Sequence, residues 1–192
     1  MTEKDFEAVK TIVLAKLDGL SEHLTYHSKE HTIDVLKQTL RIAEAEGIHD
    51  PYELLILKFA ALFHDIGFLE TYANHEAKGC ELFLKYSEEM DFTEAEKVDI
   101  QALIMATRLP QSPKNHIQQV ICDADLDYLG RDDFFTIGDN LRKEFLHYNI
   151  VANNEAWEKL QLNFLNNHRY FTESSQKLRE PVKQLHYSSL LK

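Results

Sequence analysis

The chain has 192 residues, 44% of them hydrophobic and 28% charged, ordinary values for a globular domain long enough to bury its own core without disulfides or a structural metal. A net charge of −11 excludes a general binder of nucleic-acid polymers, which needs clustered Lys and Arg, but leaves room for a small phosphorylated partner beside a bound divalent cation. Cys80 and Cys122 lie in apolar helical patterns and read as buried thiols; with no signal-like N-terminus and no run of roughly 20 apolar residues, a cytoplasmic protein off the membrane is expected.

Gly and Pro are scarce and alternating β-branched runs are absent, so helices joined by short turns are predicted throughout. The first covers about Asp5 to Leu17. The second runs from about His31 to Glu46, with Ile33, Leu36, Leu40 and Ala43 at helical spacing and Gly47 as its stop. Pro51 opens the third, PYELLILKFAALFHDIG, in which only Lys58 is polar between Leu54 and Phe63. That helix is expected to be buried almost all round. Further helices are predicted over about 74–86, from a capping box at Thr93 to Thr107, and over about 115–129. Three more fall within 131–146, 153–170 and 172–190, the last kinked or restarted at Pro181. The fold class is all-α, one helical bundle over 1–192, with its site-bearing core at about 24–145 and helices of 146–192 packed on it.

Three places put acids and histidines where the pattern predicts core. His31 opens the second helix, and His64-Asp65 emerges from the most apolar one. The third place is Asp123-Ala124-Asp125-Leu126-Asp127, which interrupts the run Val120-Ile121-Cys122. A buried ionised Asp is costly unless it is paired or ligates a metal. Taken singly, a His at a helix start is usually a cap and an acidic cluster usually a solvated face. An EF-hand needs Gly and Glu at the sixth and twelfth loop positions; Tyr128 and Phe134 stand there instead.

Together, YHSKEHTIDVL at 26–36, FAALFHDIG at 59–67 and VICDADLDYLG at 120–130 resemble the HD-domain superfamily of metal-dependent phosphohydrolases, in particular its small stand-alone bacterial members. The resemblance covers about 24–145 and implies an all-helical fold with one or two divalent ions held by His31, His64, Asp65 and Asp125. Asp125 is preferred to Asp123 because the family pattern matches Ala124-Asp125; Asp123 and Asp127 then become outer support or helix surface. A mixed nitrogen and oxygen donor set suits Mn²⁺, Fe²⁺, Mg²⁺, Co²⁺ or Ni²⁺. The implied reaction is hydrolysis of a phosphate ester or anhydride in a nucleotide-like metabolite, with Asp65 orienting the water. The alternative is a regulatory module that senses a nucleotide without turnover.

His75 is a candidate for a second metal, while Thr107, where a further histidine would be wanted, favours a single ion. Phe68 and Leu69 replace the acidic pair that marks guanosine-tetraphosphate hydrolases in this superfamily. Glu70 and His27 are candidate acids or bases. Lys29, Lys78, Arg108, Arg131 and Arg142 are candidate phosphate contacts, each with a surface charge as its plain alternative. Trp157, Leu160 and Phe164 keep helical spacing and read as core or the surface of a homodimer, and His168 as structural or exposed.

Overall fold

The computed structural model describes residues 1–191; Lys192, the end of the expected C-terminal segment, lies outside the described residues. Among these residues there are ten α-helices and no strand. In chain order they are α1 (Glu3–Leu17), α2 (Lys29–Ala45), α3 (Pro51–Phe63), α4 (His75–Ser87), α5 (Glu94–Ala106), α6 (His116–Asp125), α7 (Phe134–His147), α8 (Asn154–Asn167), α9 (Glu173–Leu178) and α10 (Glu180–Leu190). Two 3₁₀ turns, Ile66–Leu69 and Asp127–Gly130, follow α3 and α6. Among the described residues no helix is long and apolar enough to cross a membrane.

Local chemistry sets most boundaries. Ser28 caps α2 by accepting from the His31 N–H, Asp50 caps α3 ahead of Pro51, and Thr93 and Glu96 form the reciprocal box that starts α5. The C-terminal stretch breaks at Arg179 and restarts with Pro181 in the first turn of α10, where its missing N–H costs nothing. The helix expected over 115–129 is shorter than its pattern. It ends at Asp125, and the chain turns so that the Asp127 carboxylate meets Arg41 and Arg179 while Tyr128 and Leu129 enter a second apolar cluster.

Helix α3 is the axis of the main core. Its flanks meet α1, α2, α4, α5 and α6, and Leu57, Phe59, Ala60, Leu62 and Phe63 have no solvent exposure. This burial explains why a helix with one polar residue in its middle is stable there. A smaller cluster gathers Tyr26, Leu126, Tyr128, Leu129, Phe134, Leu165 and Tyr170 from α7, α8 and the segments beside them. The two clusters meet where α3 and α6 end.

Candidate metal centre

Each of the four residues singled out as ligands stands at a helix end. His31 lies in the first turn of α2, His64 caps the C-terminus of α3, Asp65 follows it, and Asp125 is the last residue of α6. Two helix C-termini therefore converge, and their carbonyl ends favour a cation. Gly67 makes the local turn feasible: a Cβ there would lie 2.0 Å from the His75 carbonyl oxygen. That close approach brings the start of α4, and His75 with it, against Asp65. Asn74, just before α4, adopts the left-handed conformation at φ 55° that Asn tolerates.

The four side chains meet. His31 Nε2 lies 3.2 Å from Asp125 Oδ1, 3.4 Å from Asp65 Oδ2 and 3.4 Å from His64 Nε2. His64 Nε2 is 3.2 Å from Asp65 Oδ2 and 3.6 Å from Asp125 Oδ1. His64 Nδ1 lies 2.8 Å from the Ala61 carbonyl oxygen and can only donate to it, so Nε2 is the nitrogen that faces the carboxylates and that would bind a cation on loss of its proton. Asp65 Oδ2 is buried without a hydrogen-bond partner. Such an orphan is expensive, and a cation shared with the two imidazole nitrogens would satisfy it. Ligand atoms of His31, His64 and Asp65 all fall within 4.8 Å of one another, so this donor set could hold a metal ion.

The electrostatics agree. Burial pushes the His64 imidazole down, but the Asp65 and Asp125 carboxylates outweigh it and lift the group to about 9. Burial pushes Asp65 up, yet His64 and His75 hold it well below the usual carboxylate range. The acids thus draw positive charge into the cluster.

His75 stands at the other oxygen of Asp65, its Nε2 3.4 Å from Oδ1, beside Glu76 at 3.4 Å. Thr107 is buried and donates its hydroxyl to the Ile104 carbonyl. His27 is stacked between elements: its ring lies 4.2 Å from that of Phe68, and its Nδ1 is paired with Glu144. Glu144 is fully buried and also accepts from the backbone N–H groups of Tyr26 and His27 and from the Tyr72 hydroxyl. Burial would raise its carboxyl, but these donors, His27 first, keep it below its ordinary value.

His27, His75, Asp65 and Asp125 all line one cavity of about 470 Å³, with Arg108 at its edge. Arg108 is exposed and donates to the side chain of Asn74 at 3.2 Å. Trp157 is buried and Phe164 packs on the second apolar cluster, as the core reading of α8 expects, and with the partly exposed Leu160 they also form the far wall of this cavity. Gly, Pro and spacing offered no sign of a hollow there.

Other expected site residues fall elsewhere. Glu70 is exposed and pairs with Lys78, which also binds Glu81, so neither faces the cluster. Lys29 reaches Asp18 on the surface. Arg142 binds Asp139 on its own helix and Asn154. Arg131 is held by Asp34 and Asp133 beside a smaller cleft that includes His31 and Asp125. Asp123, expected as outer support for the ligands or as helix surface, does neither. It is fully buried and accepts from Phe171 N, Thr172 N and the Thr172 hydroxyl, pinning the C-terminal segment to α6. Glu144 was missed because the stretch Arg142-Lys143-Glu144 reads as an exposed charged turn of helix.

These features define an all-helical protein with a His/Asp cluster at the convergence of helix ends. The family model described as the HD domain matches residues 29–127, more than half of the chain and all four clustered residues. The chain belongs to the HD-domain family, whose members bind divalent metals and are generally metal-dependent hydrolases. It is also similar in structure to a Lactobacillus plantarum protein solved as a structural-genomics target, with a TM-score of 0.69 and 20% identity over 99% of this chain and 96% of that one. This likeness concerns the fold alone. No curated protein matches the chain in sequence.

Proposed function

We propose that the protein hydrolyses a phosphate ester or phosphoanhydride in a small phosphorylated metabolite, with His31, His64, Asp65 and Asp125 holding a divalent ion. The observation that carries this reading is the orphaned, buried Oδ2 of Asp65 facing two imidazole nitrogens. A divalent ion bound there would neutralise charge on the phosphoryl group and lower the pKa of water. The nitrogen and oxygen donors suit Mn²⁺, Fe²⁺, Mg²⁺, Co²⁺ or Ni²⁺.

The chain's own groups then have distinct tasks. Asp65 is shared between the cluster and His75, so it orients the attacking water without giving up its charge. His27, fixed through Nδ1 by Glu144, keeps one ring nitrogen for proton transfer to the leaving oxygen. Glu144 acts as a positioning residue, as a carboxylate does behind any catalytic imidazole. Arg108, tied only loosely through Asn74, offers a guanidinium fork to the phosphate from the cavity edge. A nucleotide is the first substrate to try, because the family resemblance suggests one.

The test is elemental analysis of the purified protein beside Asp65→Ala, followed by a Mn²⁺-supplemented phosphatase screen. About one equivalent of metal in the parent and none in the variant is expected, with hydrolysis falling on the order of 10³-fold or more. Full activity in Asp65→Ala would sink the proposal. Metal binding with no turnover of any phosphate compound would favour the sensing module instead.

A further inference from the structure

The cavity that receives the clustered acids has two unlike ends. One end carries Asp65, Asp125, His27, His75 and Arg108. The other is walled by Leu141, Phe145, Ile150, Trp157, Leu160 and Phe164. Phe145 and Trp157 meet edge to face at 5.8 Å, giving that wall a fixed shape. Ile150 and Leu160, 49% and 39% exposed, face the same hollow. A volume of about 470 Å³ is in the range of ordinary ligand sites, roughly 300–1,000 Å³.

The polar inventory decides what such a hollow accepts. Between the two ends, Tyr72 and the Nδ1 of His27 are committed to Glu144 and the Thr107 hydroxyl to Ile104, while Glu76, beside His75, and the largely buried Tyr26 and Tyr128 complete the polar lining. Asn74 Oδ1 is taken by Arg108, which leaves the Gln161 amide as the polar side chain of the apolar end. A nucleoside would bring ribose hydroxyls and base edges against hydrocarbon. Each polar group buried without a partner lowers affinity by about tenfold or more. Each methylene buried there raises it about three- to fourfold. The wall therefore selects a hydrocarbon body.

We infer that the substrate is the phosphomonoester of an apolar alcohol, its phosphate at the Asp65 and Asp125 end and its hydrocarbon body against Phe145, Trp157 and Leu160. The inference rests on the phosphohydrolase reading and narrows it away from nucleosides. The reaction balances with water alone. A new P–O bond forms to the water oxygen, the P–O bond to the alcohol breaks, and the alcohol oxygen leaves with a proton.

The experiment compares n-alkyl phosphates from ethyl to octyl with nucleoside monophosphates on the Mn²⁺-loaded protein. It adds titrations of octyl phosphate followed by the emission of Trp157, the only tryptophan in the chain. Expected are a kcat/KM that climbs about three- to fourfold per methylene until the hollow is full, and a saturable change in Trp157 emission. Leu160→Gln and Ile150→Gln, both at partly exposed positions, should flatten that climb while helical content and bound metal stay constant. A flat or falling dependence on chain length, or nucleoside monophosphates exceeding octyl phosphate, overturns the inference and leaves the phosphohydrolase reading standing. If no ester of either kind is cleaved, the ester part of that reading fails, and Trp157 decides the rest. A saturable response to octyl phosphate supports the apolar seat, and no response overturns it.

Discussion

The cluster around α3 and the cluster around α7 and α8 are made of the same kinds of residue and differ in what they enclose. Around α3, apolar side chains meet other apolar side chains on every flank, and Phe6, Phe59, Phe83 and Phe92 interlock edge to face. Around α7 and α8 they meet a hollow, so Trp157 is covered while Leu160, one turn away, stays 39% exposed. The first arrangement holds the His64-Asp65 turn rigid, because Phe63 just before it cannot move without disturbing the core. The second leaves room beside that turn for a ligand. Rigidity on one side and space on the other are what a site at their boundary needs.

Several measurements would sharpen or break this contrast. The largest effect is expected from Phe59→Ala, which opens a cavity in the full core and should cost about 3–5 kcal/mol in denaturant unfolding. Next comes Asp123→Ala. It strands the buried donors of Phe171 and Thr172, and should cost about 1–3 kcal/mol, with faster amide exchange confined to that C-terminal segment.

His168 gives a pH signature to the same region. Burial and the neighbouring Lys183, which donates to its Nδ1 at 3.1 Å, push the imidazole down to about 3. The unfolded chain would bind a proton near pH 6.5 and the folded chain only near 3, so stability should fall as pH drops through that interval. In His168→Asn the acid-side slope of the unfolding midpoint should be shallower. An unchanged slope would mean the ring is not held neutral in the fold. The smallest change is expected from Leu160→Ala, below about 1 kcal/mol, because its side chain packs against a hollow. A loss matching that of Phe59→Ala would show that the wall of α8 is ordinary core after all.

Much of the site was legible because its residues break a pattern. His64 and Asp65 end the most apolar helix and Asp125 breaks an apolar run, and an interruption of that kind demands a physical reason. His31, at a helix start, and the choice of these four as ligands came instead from the family resemblance. Residues that break no pattern were invisible or misplaced. Glu144 reads as one more charge on an exposed turn, yet Tyr26 and His27, more than 110 positions earlier, bury it. Glu70 and Lys29 were tied to the site by nearness along the chain, but the backbone turns them toward Lys78 and Asp18 on the surface. Asp123 and Asp125, two apart at the end of α6, point to different partners. One holds the Phe171–Thr172 backbone and the other the histidines.

The order of apolar and polar residues determined by itself that the chain is helical and where most helices begin, and it marked the acids and histidines that break apolar runs. These are local properties, set by hydrogen bonds and packing within a few turns. Only the tertiary structure decided which face of α8 meets solid core and which meets a hollow, and which distant backbone would use up Glu144 and Asp123. A helix presents the same apolar stripe to a neighbouring helix and to a ligand, so the difference exists only after the helices have been placed.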